Sequence, residues 1–89
     1  MDHYKLIYSK DFQKIFKKLD VSVQQLVASY IKHYLENTNN PRAHGKALGG
    51  NKKGLWRYRI GNYRLIVDIM DDKLIILMLT FGHRKDVYK

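Results

Sequence analysis

From Leu55 to Leu65 the chain reads Leu-Trp-Arg-Tyr-Arg-Ile-Gly-Asn-Tyr-Arg-Leu, in which apolar or aromatic residues alternate with arginine at the two-residue period of a β-strand. Gly61-Asn62 breaks the alternation with two residues that tolerate positive φ. The pattern therefore predicts a hairpin in which Ile60 faces Tyr63 and Arg59 faces Arg64. By the same count Trp56, Tyr58, Ile60, Tyr63, Leu65 and Val67 share one face and are expected in the core, while Arg57, Arg59 and Arg64 share the other. Like charges opposed across a ladder cost a sheet on the order of a few tenths of a kcal/mol, so folding alone does not ask for this arrangement; a bound phosphate would relieve it.

The surrounding charge points the same way. Between Glu36 and Asp68 there is no acidic residue, yet the segment adds Arg42, Lys46, Lys52 and Lys53 to the three arginines. The net charge of the chain is +9, which favours nucleic acid or an acidic protein as partner over a membrane surface. At 45% hydrophobic and 28% charged residues the composition is globular, and 89 residues are expected to form a single domain spanning 1–89. No apolar run approaches the ~18 residues of a membrane span and the first residues lack the pattern of a signal peptide, so a cytoplasmic protein is expected. The absence of cysteine excludes disulfides, thiolate catalysis and cysteine-containing zinc sites. His3, His33, His44 and His83 have no metal-ligand spacing, and no metal or other cofactor is expected.

Tyr4–Tyr8 reads as a first strand. Ser9 follows as an N-cap for a helix carrying Phe12, Ile15, Phe16 and Leu19 at helical spacing. Ser22 with Gln25 reads as a capping box before a second apolar stripe of Leu26, Val27, Tyr30, Ile31, Tyr34 and Leu35, ending before Pro41. Residues 37–53 form a basic loop, the arginine hairpin comes next, Asp71-Asp72 marks a turn, and Leu74–Phe81 is an almost wholly apolar strand. The order β-α-α-β-β-β implies an α+β fold: an antiparallel sheet of about four strands with two helices packed on one face. The opposite face, carrying the arginines, is left for binding. Lys14, Lys17 and Lys18 read as the solvated side of the first helix.

If the last strand pairs with the hairpin, its C-terminal end brings His83, Arg84 and Tyr88 near the arginines. Histidine exchanges protons near neutrality, and guanidinium groups hold a phosphate and its developing charge. Together they match the needs of phosphodiester cleavage. Tyr88 can equally pack against the sheet edge or stack on a nucleobase.

Three segments, Pro41-Arg-Ala-His-Gly-Lys-Ala-Leu48, Gly54-Leu-Trp-Arg-Tyr-Arg-Ile-Gly-Asn-Tyr-Arg-Leu-Ile-Val67 and Gly82-His-Arg-Lys-Asp-Val-Tyr88, resemble the RelE branch of the RelE/ParE toxin superfamily. The resemblance implies a microbial ribonuclease-like fold. It also implies a metal-independent endoribonuclease that cuts messenger RNA in the ribosomal A site by 2′-hydroxyl attack, and a cognate acidic antitoxin. On this resemblance Arg57, Arg59, Arg64, Arg84 and Tyr88 fall on the family's site and with His83 form the expected catalytic set, while Arg42, Lys46, Lys52 and Lys53 of the acid-free basic segment are expected to bind RNA. Arg57 and Arg59 fall where well-known relatives have lysines. Because arginine keeps its proton up to a pKa above about 12, these two are limited to binding and charge stabilisation. Some relatives pair a glutamate with a histidine, but the corresponding stretch here has Lys46 and no acid, which leaves His83 as the expected proton carrier, as acid or as base. The alternatives are a non-enzymatic gyrase inhibitor like the ParE branch, and a degenerate toxin retaining only antitoxin or RNA binding.

Overall fold

The computed structural model describes residues 2–83. Strand β1 (Lys5–Tyr8) leads into helices α1 (Lys10–Lys17) and α2 (Val21–Tyr30), followed by strands β2 (Lys46–Ala47), β3 (Trp56–Ile60), β4 (Tyr63–Met70) and β5 (Ile75–His83). Ser9 caps α1 as its sequence position predicts: its hydroxyl accepts from the Phe12 amide at 3.0 Å and donates to the Leu79 carbonyl at 2.7 Å, tying the helix start to β5. The predicted Ser22 capping box does not form. Asp20 is the N-cap of α2 and makes no side-chain cap bond, so Ser22 already lies inside the first turn. Gln24 makes the polar contact at this junction, donating from its side-chain amide to the Phe16 carbonyl at the end of α1 at 2.8 Å. Beyond Tyr30 the helix widens into a π turn, Ile31–Leu35, closed by the Glu36 amide on the Ile31 carbonyl. Asn37, at φ 61°, then turns the chain out of the helix.

The sheet has five strands in the order β1-β5-β4-β3-β2 among the described residues, one more than expected. It is mixed rather than antiparallel. β3, β4 and β5 form an antiparallel meander with short β2 on its outer edge, but β1 runs parallel to β5, with Lys5 beside Ile75 and Tyr8 beside Met78. The crossover through both helices and the 37–53 loop reaches the far edge of the sheet, and the meander then returns the chain to β1. The last strand starts at Ile75, because Leu74 belongs to the preceding turn at φ 53°.

The hairpin has the predicted register, Ile60 against Tyr63 and Arg59 against Arg64, around Gly61 at φ 60°. Tyr58, Ile60, Leu65 and Val67 are buried, with Trp56 and Tyr63 packed against them. Phe12 of α1, Val27 of α2 and Ile31 and Leu35 of the π turn cover this face, and Ile76, Met78 and Phe81 of β5 extend it. At about 25 cal/mol per Å² of apolar area removed from water, this shared face is the main source of stability. No helix among the described residues is long and apolar enough to cross a membrane.

Candidate functional site

The face turned away from the helices carries the cations in two transverse rows. Lys46, Arg57, Ile66 and Thr80 are in register across β2, β3, β4 and β5; Arg59, Arg64 and Gly82 are in register one step nearer the hairpin turn. The three arginines differ in access. Arg59 is exposed, Arg57 is half-buried, and Arg64 is only 3% exposed, with Nη1 donating to the Tyr63 carbonyl at 3.0 Å. Gly82 sets no side chain opposite Arg64. Three guanidinium groups and an ammonium are thus gathered on one side of a rigid sheet, an arrangement suited to an anion with several oxygens.

At its outer edge this face meets a cleft. β2 pairs only with Trp56 and Arg57, and where it stops a hollow of about 400 Å³ opens between β3, the 44–46 segment and α2. Tyr30, Tyr34, His44, Gly45, Lys46, Arg57 and Arg59 line it. Its aromatic wall is continuous, with Tyr30 4.8 Å from Tyr34 and Tyr34 4.7 Å edge-on from His44, and the buried Tyr58 ring packs behind it, 5.9 Å from Tyr30. Burial raises the pKa of both Tyr58 and Tyr30, so neither phenol ionises near neutrality. The loop is pinned where it crosses β3. Trp56 Nε1 donates to the His44 carbonyl at 2.7 Å, and the Tyr58 hydroxyl donates to the Pro41 carbonyl at 2.6 Å. Gly45 sits at φ +87°, where an added Cβ would fall 2.2 Å from the Arg57 carbonyl oxygen, so only glycine permits this close approach.

The other expected RNA-binding residues are distributed differently. Arg42 is committed within the fold: its guanidinium makes a bidentate pair with Asp71 at 2.9 and 3.0 Å and lies 5.9 Å over the Trp56 ring. Asp71 also accepts from the Tyr4 hydroxyl at 2.5 Å, so one carboxylate joins the 37–53 loop, the β4–β5 turn and the residue before β1. The bonds from Arg42, then from Tyr4, hold the Asp71 carboxyl below its ordinary pKa, and the same Asp71 bond raises that of Tyr4. Lys52 and Lys53 lie at the end of a short 3-10 turn, Gly50–Lys52, and are not among the residues lining the cleft.

His83 does not join the arginines. Between Ile66 and Val67 the β4–β5 register shifts: Ile66 pairs with Thr80 but Val67 pairs with Met78, leaving Leu79 as an extra residue in β5. The bulge inverts the alternation, so Phe81 and His83 point to the helix-covered face, and the His83 ring meets Tyr63 edge-on at 5.9 Å. Thr80 and Gly82 take the arginine face instead. Arg84 and Tyr88 lie outside the described residues. The imidazole that shares a cleft with Arg57 and Arg59 is His44, and Tyr30 and Tyr34 are its aromatic neighbours. In the sequence, the signal for His44 was its place in an acid-free basic stretch. Tyr30 and Tyr34 read simply as apolar stripe.

Residues 6–88 match the family described as the ParE toxin of a type II toxin–antitoxin system. A putative RelE-like toxin protein of Escherichia coli is 30% identical over 87 residues, covering 96% of this chain and 90% of that one. Among solved structures, the RelBE2 toxin–antitoxin complex of Mycobacterium tuberculosis superposes with a TM-score of 0.82 at 25% identity, covering 94% of both chains. The isolated RelE toxin of E. coli gives a TM-score of 0.70 at 21% identity over 96% of this chain and 90% of that one, a likeness of fold. This chain belongs to the RelE/ParE family of toxins of type II toxin–antitoxin systems.

Proposed function

We propose that the chain is a metal-independent endoribonuclease that cuts messenger RNA in the ribosomal A site, by attack of a 2′-hydroxyl on the adjacent phosphorus. The observation that supports this reading is the assembly of Arg57, Arg59, Arg64 and Lys46 in two adjacent rows of one sheet face. In such a reaction charge accumulates on the phosphorane oxygens, and fixed guanidinium groups neutralise it without reorganising. Arg57 and Arg59 contact the phosphate, and buried Arg64, held by the Tyr63 carbonyl, supports them from below. On the family resemblance Arg84 and Tyr88 complete the set. A face rich in binding groups and poor in bases fits an enzyme that relies on the ribosome to align its substrate. The gyrase-inhibitor alternative is less favoured, since the curated relative at 30% identity is named RelE-like.

The partner in this reading is an acidic antitoxin, as the toxin–antitoxin complexes among the structural relatives invite. An apolar groove of about 500 Å³ between α1, α2 and the π turn, floored by Phe12, Phe16 and Ile31 and rimmed by Lys17, Lys32 and Glu36, suits an amphipathic helix with acidic flanks. Induction in cells, followed by mapping of messenger 5′ ends with and without the neighbouring gene, tests the whole reading. Cuts within A-site codons are expected, and the exposed-site variant Arg59→Ala should lower cleavage by about a hundred-fold. Growth arrest with intact messenger would reject nuclease activity, and accompanying DNA damage would indicate gyrase poisoning instead.

A further inference from the structure

We infer that His44, and not the histidine near the C-terminus, is the group that takes the proton from the attacking 2′-hydroxyl; this rests on the nuclease reading above. The arginines cannot do so, and His83 is turned to the opposite face by the Leu79 bulge. The two other imidazoles are placed elsewhere. His3 Nδ1 is bonded to the Asn37 carbonyl at 2.5 Å, and His33 lines a neighbouring groove with Leu26 and Ile60. His44 alone among the described histidines lies in the cleft with Arg57, Arg59 and Lys46.

Its placement is built rather than incidental. The Trp56 indole holds the His44 carbonyl, Gly45 locks the next residue against the β3 backbone, and Tyr34 abuts the ring edge-on. The ring is left exposed to an incoming strand, while its backbone is fixed relative to the two arginines that would hold the phosphate. Tyr34 is a positioning residue for it. In the step assigned here, neutral imidazole accepts the 2′-hydroxyl proton as the O2′–P bond forms. The P–O5′ bond then breaks, water protonates the leaving 5′-oxygen, and the imidazolium returns its proton to the hydroxide so formed. The products are a 2′,3′-cyclic phosphate and a 5′-hydroxyl end.

Single-turnover cleavage on messenger-programmed ribosomes, run from pH 5.5 to 8.5, tests the assignment. Among the described residues, Tyr30 and Tyr34 share the cleft with His44 from α2 and its π turn, Lys46 from β2, and Arg57 and Arg59 from β3, while His33 lies behind Tyr34, against the other side of its ring. Among the described residues His33 is the imidazole nearest to this cleft through Tyr34, and it needs its own variant. His44→Ala should cut at least about a hundred-fold more slowly, lose the rising limb of the pH profile, and regain activity with added imidazole. His33→Ala and His83→Ala should keep that limb and stay within a few-fold of wild type. Full activity in a folded His44→Ala protein, or transfer of the lost limb to either of the other two variants, would overturn the assignment while leaving the nuclease reading intact. A His44→Gln variant that matches wild type in rate and profile would do the same. A wild-type chain that cuts nothing on the ribosome would remove both.

Discussion

The Tyr58 hydroxyl lies within the core and donates to the Pro41 carbonyl, anchoring the basic loop from beneath. The side chain is 0% exposed, so loss of that bond leaves a buried carbonyl without its donor. Tyr58→Phe should therefore cost about 1–2 kcal/mol in urea unfolding at pH 7. Burial also raises the phenol's pKa well above that of an exposed tyrosine, with Tyr30 as the second cause. The folded state thus holds the proton where the unfolded chain, with a pKa of about 10, has released it. This contribution is complete below pH 10 and is lost as pH climbs from there toward the folded value. The wild type should lose stability more steeply above pH 10 than Tyr58→Phe, and equal slopes would contradict the burial argument.

Helix α2 and its π turn show how a correct periodicity can still overstate a core. The apolar stripe from Leu26 to Leu35 is wider than one packing face. Val27, Ile31 and Leu35, four apart, are buried, whereas Leu26 and Tyr34 are 45% and 41% exposed. Tyr30 and Tyr34 on that second flank wall the cleft beside His44, so the excess apolar surface belongs to the site. Leu35→Ala should cost about 2–5 kcal/mol because it empties space in the close-packed core. Leu26→Ala should cost less than about 1 kcal/mol. Chemical denaturation of the two variants compares them directly, and equal losses would show that the stripe is core throughout.

For the whole molecule the relevant quantity is the net charge of +9 and which cations remain available to an RNA strand. Binding to single-stranded RNA should weaken linearly in log affinity against log salt, with a slope of about −0.7 per phosphate neutralised. Arg59→Ala should reduce that slope by about one phosphate equivalent. Arg42→Ala should leave it unchanged, because the Arg42 guanidinium is already paired with Asp71. Filter binding across a salt series reads both, and a reduced slope for Arg42→Ala would mean that its ion pair opens to RNA.

The local features of this protein were legible because they arise from short-range rules. Alternation with Gly61-Asn62 specified the hairpin and its register, and hence which side chains face the core and which three arginines share the other surface. Ser9 announced the first helix by its hydrogen-bonding chemistry. Partnerships between distant segments were not legible. That β1 lies parallel to β5 depends on where a crossover of two helices and a loop returns, and the capture of Arg42 by Asp71 depends on two turns meeting in space. The face on which His83 emerges rests on the single bulged residue Leu79, within a strand so uniformly apolar that its sequence carries no phase. Alternation is a property of neighbours along the chain and can be counted, but the phase of an apolar strand and which imidazole shares a cleft with the arginines are set by packing between distant segments, which is why only the tertiary structure placed His44 beside Arg57 and Arg59.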